Sequence, residues 1–498
     1  MNRRHFLNRT GALTLAMAAP SFLRMPGLVN TANAAILDEA NFTMPSRLPQ
    51  VINLFMYGGA SELAGNLTNI HQIDATSQNR YPEELLNSMD SEQGQISANG
   101  FWKDAGGVSM EDMLASGDMS VYRTINRIKD NTRAHRQSIY SSQKGSLNIN
   151  GSAGMGSTIA AVLEANRGQL DGSIQLGGKT LDELVLPFVS FEGTSVAFSA
   201  DGDFDLPLRL RGLSLNEQFD NPYSRSDDDY ASELDAIIRQ VENGVSRTRF
   251  SKVYGGFELR TRMEALIGGL QTAADNPLPT LPLSPLDGSL DVDADPDTGY
   301  LRYPEDNAFS GRLKAAVTLA IENPDSLFIS LGDGLGGWDD HDSSISEYAP
   351  RMQQLMGALR AATKHIRYAD ERAGGLRDTS NIIINVHGDF GRNVNLNNSM
   401  GWDHGNNQNL YTFGGHGVRG RNALGKIVGK TEIFGNANDN RLYTRPTNDS
   451  YQAEPMSIAA STYRYFGVNN PTVLTRDAEY NPNGDNALDE TIAGEPLA

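Results

Sequence analysis

Two short apolar runs that end in glycine and acid-histidine clusters constrain this chain more than any other feature. Leu327-Phe328-Ile329-Ser330-Leu331 breaks at Gly332 and leads into Gly336-Gly337-Trp338-Asp339-Asp340-His341. Ile382-Ile383-Ile384-Asn385-Val386 ends in His387-Gly388-Asp389-Phe390-Gly391-Arg392, followed by Trp402-Asp403-His404-Gly405 and Gly414-Gly415-His416-Gly417. Near-continuous apolar runs of this length are the signature of strands buried on both faces, and open α/β sheets place their ligands beyond the carboxyl ends of such strands. A third run, Val51 to Tyr57, ends at Gly58-Gly59, with Ala60-Ser61-Glu62 beyond it.

The remaining pattern fits the same sheet. Met119 to Ile125 and Pro187 to Phe191 read as strands, and Met110 to Ala115, a stretch ending near Gln143, and Ser157 to Asn166 read as helices. Helical spacing recurs over Ser310 to Glu322, Glu347 to Ala369 and Glu454 to Phe466, where Pro455 suits a first turn. The alternation predicts an α/β fold with a doubly wound, mostly parallel sheet. Between about 192 and 307 it gives way to two helical patterns, Ser226 to Glu242 and Gly256 to Ala273, and a Pro- and Asp-rich connection. This reads as an insertion or cap on one domain spanning 35–498. Asp291, Asp293, Asp295 and Asp297 alternate as in calcium loops, but lack the Gly and closing Glu of an EF-hand, which favours a solvated linker. His365 shares its helix face with Ala361, Ala362, Tyr368 and Ala369, so it reads as structural.

Composition narrows the chemistry. With no cysteine among 498 residues, a metal can find only His, Asp, Glu and oxygen ligands. A formal charge of −19 argues against nucleic acid as a partner. At the start, Arg3-Arg4-His5-Phe6-Leu7 is similar to a twin-arginine export signal. An apolar run from Gly11 to Ala19 and a small-x-small site at Ala32-Asn33-Ala34 follow. These residues predict a signal over 1–34, the twin-arginine translocation machinery as a partner, and a periplasmic or extracellular protein. No stretch reaches the roughly 20 apolar residues that a membrane span needs.

Asp339, His341, Asp389, Asp403 and His404 are therefore candidate metal ligands, with His416 added for its tight glycine setting. A sulfur-free set of this kind suits zinc, manganese, magnesium or calcium, in a number the sequence leaves open.

At these residues the chain resembles a bacterial family known as domain of unknown function 1501, many of whose members are twin-arginine exported. The resemblance rests on Gly58-Gly59, Thr132-Arg133-Ala134-His135, Gly337-Trp338-Asp339-Asp340-His341, Asp389-Phe390-Gly391-Arg392 and Asp403-His404. It implies a sheet of the alkaline phosphatase and sulfatase type, and metal-dependent hydrolysis of phosphate or sulfate esters, on a small anionic ester or a surface polymer. It further implies Thr132 at a helix N-terminus as nucleophile, Arg133 and Arg392 holding the anion, and His135 assisting the leaving group. The alternative for Thr132 is a helix cap. Where the resemblance expects a ligating Asp after the first strand the chain has Ser61 followed by Glu62, so either Glu62 substitutes as the ligand, or one metal position is weakened, or the fold is kept without catalysis. The alternative is a non-catalytic binding or assembly protein on the same fold.

Overall fold

The computed structural model describes residues 36–498, apart from 71–80, 87–93, 131, 200–203, 205, 221–251, 276–277, 305–306, 333, 373–377, 421, 437–440, 477–485, 493 and 495–498. The export-signal residues and the pattern from Ser226 to Glu242 lie outside the described residues.

The strands are β1 (Gln50–Met56), β2 (Met119–Asn126), β3 (Phe188–Ser190), β4 (Leu213–Ser214), β5 (Phe328–Gly332), β6 (Ile382–Gly388), β7 (Gly391–Arg392), β8 (His404–Gly405), β9 (Asn407–Gly414), β10 (Ile427–Val428), β11 (Thr431–Asn436) and β12 (Arg441–Pro446). Eight of them form one sheet in the order β10-β2-β9-β6-β1-β5-β3-β4, while β7 pairs with β8 and β11 with β12. All pairings in the main sheet are parallel except those of β9, which runs antiparallel to both β2 and β6.

Strand periodicity assigns the two faces. Ile52, Leu54, Ile329, Leu331, Ile382, Ile384 and Val386 enter one apolar core, which the helices Gly107–Ala115, Ala308–Glu322 and Ser344–Arg372 cover. Val51, Phe328 and Ile383 enter a second core with the helices Met155–Ala165 and Pro455–Tyr465. Helices on both faces make this a mixed, mostly parallel α/β sheet. Local signals set the helix starts: Asn307 accepts from the Ser310 amide at 2.7 Å, and Pro455 occupies a first turn. Among the described residues no helix is long and apolar enough to cross a membrane.

β9 is the one long strand of the main sheet that the sequence reading lacks. Asn407-Gln408-Asn409 looks like loop, yet the strand is buried and its polar side chains find internal partners. Asn407 Nδ2 donates to the Arg123 carbonyl at 2.8 Å, Gln408 Oε1 accepts from Gly388 N at 2.9 Å, and Asn409 Nδ2 donates to the Glu62 carbonyl at 2.8 Å. Because β9 is antiparallel, its start lies at the same end of the sheet as the carboxyl ends of β1, β2, β5 and β6. That end gathers the functional loops.

In the 192–307 region, β4 extends the sheet beside β3, and the helix Lys252–Asp275 buries Ile267 and Leu270 in the first core. Three of the four alternating aspartates already have partners. Asp293 receives Arg360 Nε at 2.9 Å and Nη2 at 3.0 Å, Asp291 receives Lys364 Nζ at 2.5 Å, and Asp295 accepts from Thr298 Oγ1 at 2.8 Å. His365 is buried with Nδ1 3.1 Å from the Tyr303 hydroxyl.

Glu62 lies buried within the fold, accepting from Thr444 Oγ1 at 2.5 Å and, weakly, from Arg392 N at 3.4 Å. Burial outweighs these hydrogen bonds and pushes its pKa from 4.5 up to about 7. Between those values the folded protein retains a proton that the unfolded chain releases, so this group's contribution falls as pH rises through the window. Glu62→Gln, which mimics the neutral acid, is expected to gain on wild type by on the order of 1–3 kcal/mol between pH 5 and pH 8, read by denaturant unfolding.

Candidate metal centre

Four loops from one end of the sheet converge. The turn after β1 is built by Gly58 (φ +110) and Gly59 (φ +77), where a side chain has no room. A Cβ on Gly58 would come within 2.6 Å of Asp339 N, and one on Gly59 within 2.5 Å of the Phe390 ring. The loop after β5 is pinned by Trp338 and the one before β8 by Trp402, both fully buried. Tyr348 packs edge-on between them, with ring centroids 5.7 and 5.3 Å away. Each Trp-Asp pair thus sinks an aromatic anchor and turns the next residues toward the surface. Trp402 N bonds the Asp340 carbonyl at 2.8 Å and joins the two loops.

Arg392 holds this assembly from beneath. Its guanidinium is wholly buried, with Nε on the Gly59 carbonyl at 2.7 Å and Nη1 on the Trp402 carbonyl at 2.9 Å. Nη2 serves the carbonyls of Gly58 and Trp338 and reaches Asp339 Oδ1 at 2.5 Å. A guanidinium engaged in this way has no face left for a substrate anion. Arg392 is a brace and not an anion holder.

Above it, three imidazole Nε2 atoms surround Asp339 Oδ1: His341 at 3.0 Å, His135 at 3.3 Å and His404 at 3.4 Å. His341 Nε2 and His404 Nε2 are 3.0 Å apart. His135, Asp339 and His404 each offer a ligand atom within 4.8 Å of the others. Ligands about 2.0–2.1 Å from a tetrahedral ion stand roughly 3.3 Å from one another, so these edges are of metal-site size.

The opposite ring nitrogens are all engaged. His135 Nδ1 lies 2.8 Å from Asp389 Oδ2, His404 Nδ1 2.7 Å from the Arg133 carbonyl, and His341 Nδ1 3.4 Å from Asp403 Oδ1. Tying Nδ1 to an acceptor fixes the tautomer that leaves Nε2 free to ligate. The buried His135 Nε2 has no hydrogen-bond partner. His135, Asp339 and His404 give an N2O donor set, with His341 Nε2 against two of its members, that suits zinc or a similar divalent ion, and the cluster is open on one side, since the Asp339 side chain is 46% exposed.

Electrostatics agree with this division of labour. Burial alone would raise the Asp339 pKa, but the hydrogen bond and charge of Arg392 hold it below its usual value, so the carboxylate stays ionised. The Asp389 hydrogen bond raises the pKa of His135, while burial and Arg392 lower that of His404. Phe390 walls one side, its ring centroid 4.8 Å from that of His135 and 4.5 Å from that of His404.

The structure therefore redistributes the expected residues. Asp339, His341 and His404 meet in the cluster, and His135 joins them as a ligand-type group and not as an aid to a leaving group. Asp389 and Asp403 orient imidazoles. Glu62 is buried behind the Arg392 backbone and takes no part. His416 follows Gly414, which pairs with Ile383 at the start of β6, so it lies at the opposite end of the sheet from Asp389. Thr132 neither starts nor caps a helix: the helix His135–Lys144 begins after Ala134, and Thr132 lies exposed in the preceding loop with its amide on Asp130 Oδ1 at 3.0 Å. Arg133 is exposed and donates to the His404 carbonyl at 3.0 Å. Ser61, where a ligating Asp was expected, is buried with Oγ accepting from Leu63 N at 3.3 Å.

Sequence reading missed Arg127. It is buried, donating from Nε to the Asp389 carbonyl at 3.0 Å and from Nη2 to Ser141 Oγ at 2.7 Å, which locks the His135 helix to the end of β6. An arginine directly after an apolar strand was the available signal.

No protein-family model and no curated protein matches this chain. Among solved structures, one titled "Crystal structure of Ps i-CgsB in complex with k-i-k-neocarrahexaose" aligns over 85% of this chain and 73% of that one, at 10% identity and a TM-score of 0.31. A likeness at that level carries no argument about function.

Because Arg392 satisfies four carbonyls and one carboxylate at zero exposure, Arg392→Lys is expected to cost about 3–5 kcal/mol in denaturant unfolding, since an ammonium cannot reproduce the planar fork.

Proposed function

We propose that this chain is an exported, metal-dependent hydrolase of phosphate or sulfate esters on a sheet of the alkaline phosphatase and sulfatase type. The observation that carries the reading is the set of three imidazoles, each engaged at Nδ1 and each presenting Nε2 to the Asp339 carboxylate. The resemblance to domain of unknown function 1501 and the twin-arginine-like start support the ester chemistry and the export.

His135, Asp339, His341 and His404 would hold the ion, which when bound supplies Lewis acidity toward an ester oxygen. The chain's own groups do the rest. Arg133, anchored on the His404 carbonyl, offers its remaining N–H groups to the anionic oxygens of the ester. Thr132, one residue before it, supplies the hydroxyl that attacks phosphorus or sulfur as the bond to the leaving alcohol breaks; the hydroxyl proton passes through solvent to the departing oxygen, and water then frees Thr132 from the phosphoryl or sulfuryl group. Asp389 keeps His135 in the ligating tautomer and shields it from solvent from below.

Ser61 favours a second reading. Its hydroxyl caps a turn, so the loop after β1 adds no carboxylate to the cluster, as befits a protein that keeps the ion without turning over esters.

Metal analysis of the purified full chain, with a screen of aryl phosphates and sulfates, separates the readings. Bound metal with turnover supports the hydrolase, bound metal without turnover the binding protein, and absence of metal binding overturns both. Asp389→Asn would place an amide N–H against His135 Nδ1 and force the proton onto Nε2; the expected loss is about 10–100-fold in metal affinity, measured by competition with a chromophoric chelator. Thr132→Ala is expected to lower kcat on an aryl ester by about 100-fold or more with metal content unchanged, and full turnover in that variant would move the attack to water.

A further inference from the structure

His135 and Asp339 reach the metal cluster from separate elements, the first residue of the helix His135–Lys144 and the loop after β5. One residue bonds to both. The Tyr57 carbonyl accepts from Trp338 N at 2.9 Å, immediately before Asp339. The Tyr57 hydroxyl accepts from Gln143 Nε2 at 2.7 Å, near the far end of the His135 helix.

That hydroxyl is itself held. It donates to Glu192 Oε2 at 3.0 Å, and Glu192 Oε1 receives Ser330 Oγ at 2.6 Å. Ser195 Oγ lies 2.8 Å from Ser330 Oγ and 3.3 Å from Gln143 Oε1. These contacts close a ring of Tyr57, Glu192, Ser330, Ser195 and Gln143 that joins the end of β1, the loop after β3, β5 and the helix. Gln143 is fully buried, and its Oε1 also accepts from Ala197 N at 3.1 Å. A buried amide engaged in this way keeps one geometry, because releasing it leaves polar groups unsatisfied.

The ring complements a hold already described. Arg127 grips the helix by the Ser138 carbonyl at 3.1 Å and by Ser141 Oγ at 2.7 Å. Ser141 and Gln143, two residues apart, project from nearly opposite sides of a helix with 3.6 residues per turn. Held on one side, a helix can roll about its axis; held on both, it cannot. With the roll fixed, His135 Nε2 stands 3.3 Å from Asp339 Oδ1.

We propose that Tyr57 is a positioning residue of the metal site. Through Gln143 it fixes the roll of the His135 helix, and through Trp338 N it ties that helix to the loop bearing Asp339. This rests on the metal-site reading above and adds the residue that sets its His135–Asp339 edge.

Zinc affinity of the full chain, by competition with a chromophoric chelator, tests this together with X-ray absorption at one equivalent of zinc. Tyr57→Phe keeps the ring and drops only the hydroxyl. It is expected to bind zinc about tenfold more weakly, the lower end of the loss when hydrogen bonds behind metal ligands are removed. Its imidazole scattering is expected to fall toward that of His135→Ala, a signature that loss of stability alone does not produce. Gln143→Met breaks the link from the helix side and is expected to weaken zinc at least as much, with the double variant no weaker than Gln143→Met alone. If Tyr57→Phe does not fold, Gln143→Met decides by the same two readouts. Wild-type affinity, undiminished imidazole scattering or additive losses overturn the positioning role and leave the metal reading standing. Failure of the wild-type chain to bind zinc overturns both.

Discussion

The Arg392 guanidinium is the interaction on which the functional end of this protein depends. One buried cation gathers the carbonyls of Gly58 and Gly59 after β1, Trp338 after β5 and Trp402 before β8, together with the Asp339 carboxylate. None of these loops runs as a regular ladder, and the guanidinium ties their carbonyls together. A planar fork with five donors can satisfy them at once, which an ammonium cannot. The same contact keeps Asp339 ionised beneath three imidazoles, so bracing and electrostatics are one arrangement.

From that base the cluster follows in layers. Arg392 fixes Asp339, and the buried tryptophans fix the loops bearing Asp339, His341 and His404. Arg127 and Asp389 fix His135. Carboxylates 339, 389 and 403 do three different things: one faces the imidazole Nε2 atoms, one is buried under His135, and one braces His341 near the surface. Their difference is set by burial and by which nitrogen each meets, not by residue type.

Much of the sheet was legible because strands buried on both faces leave uninterrupted apolar runs. Val51 to Tyr57, Met119 to Ile125 and Ile382 to Val386 fall within a residue or two of β1, β2 and β6. β9 was not legible, since its Asn and Gln side chains each bond a partner from β2, β6 or the turn after β1 that no local pattern reveals. For the site, Asp-His spacing at strand ends marked the right loops but not the roles. Arg392 looks the same in sequence whether it holds an anion or a set of carbonyls, and His416 shares its glycine setting with residues at the other end of the sheet. A residue's end of the sheet depends on strand direction, and the antiparallel turn of β9 is what moves His416 away.

On the proposed reading, His135, His341, His404 and Asp339 hold one divalent metal ion. X-ray absorption at the zinc edge of the metal-loaded full chain tests it most directly. The expected shell is three imidazole nitrogens and one carboxylate oxygen at about 2.0–2.1 Å, with the imidazole scattering diminished in His135→Ala and His404→Ala. A zinc shell of oxygen alone, or one unchanged by those two substitutions, would contradict it.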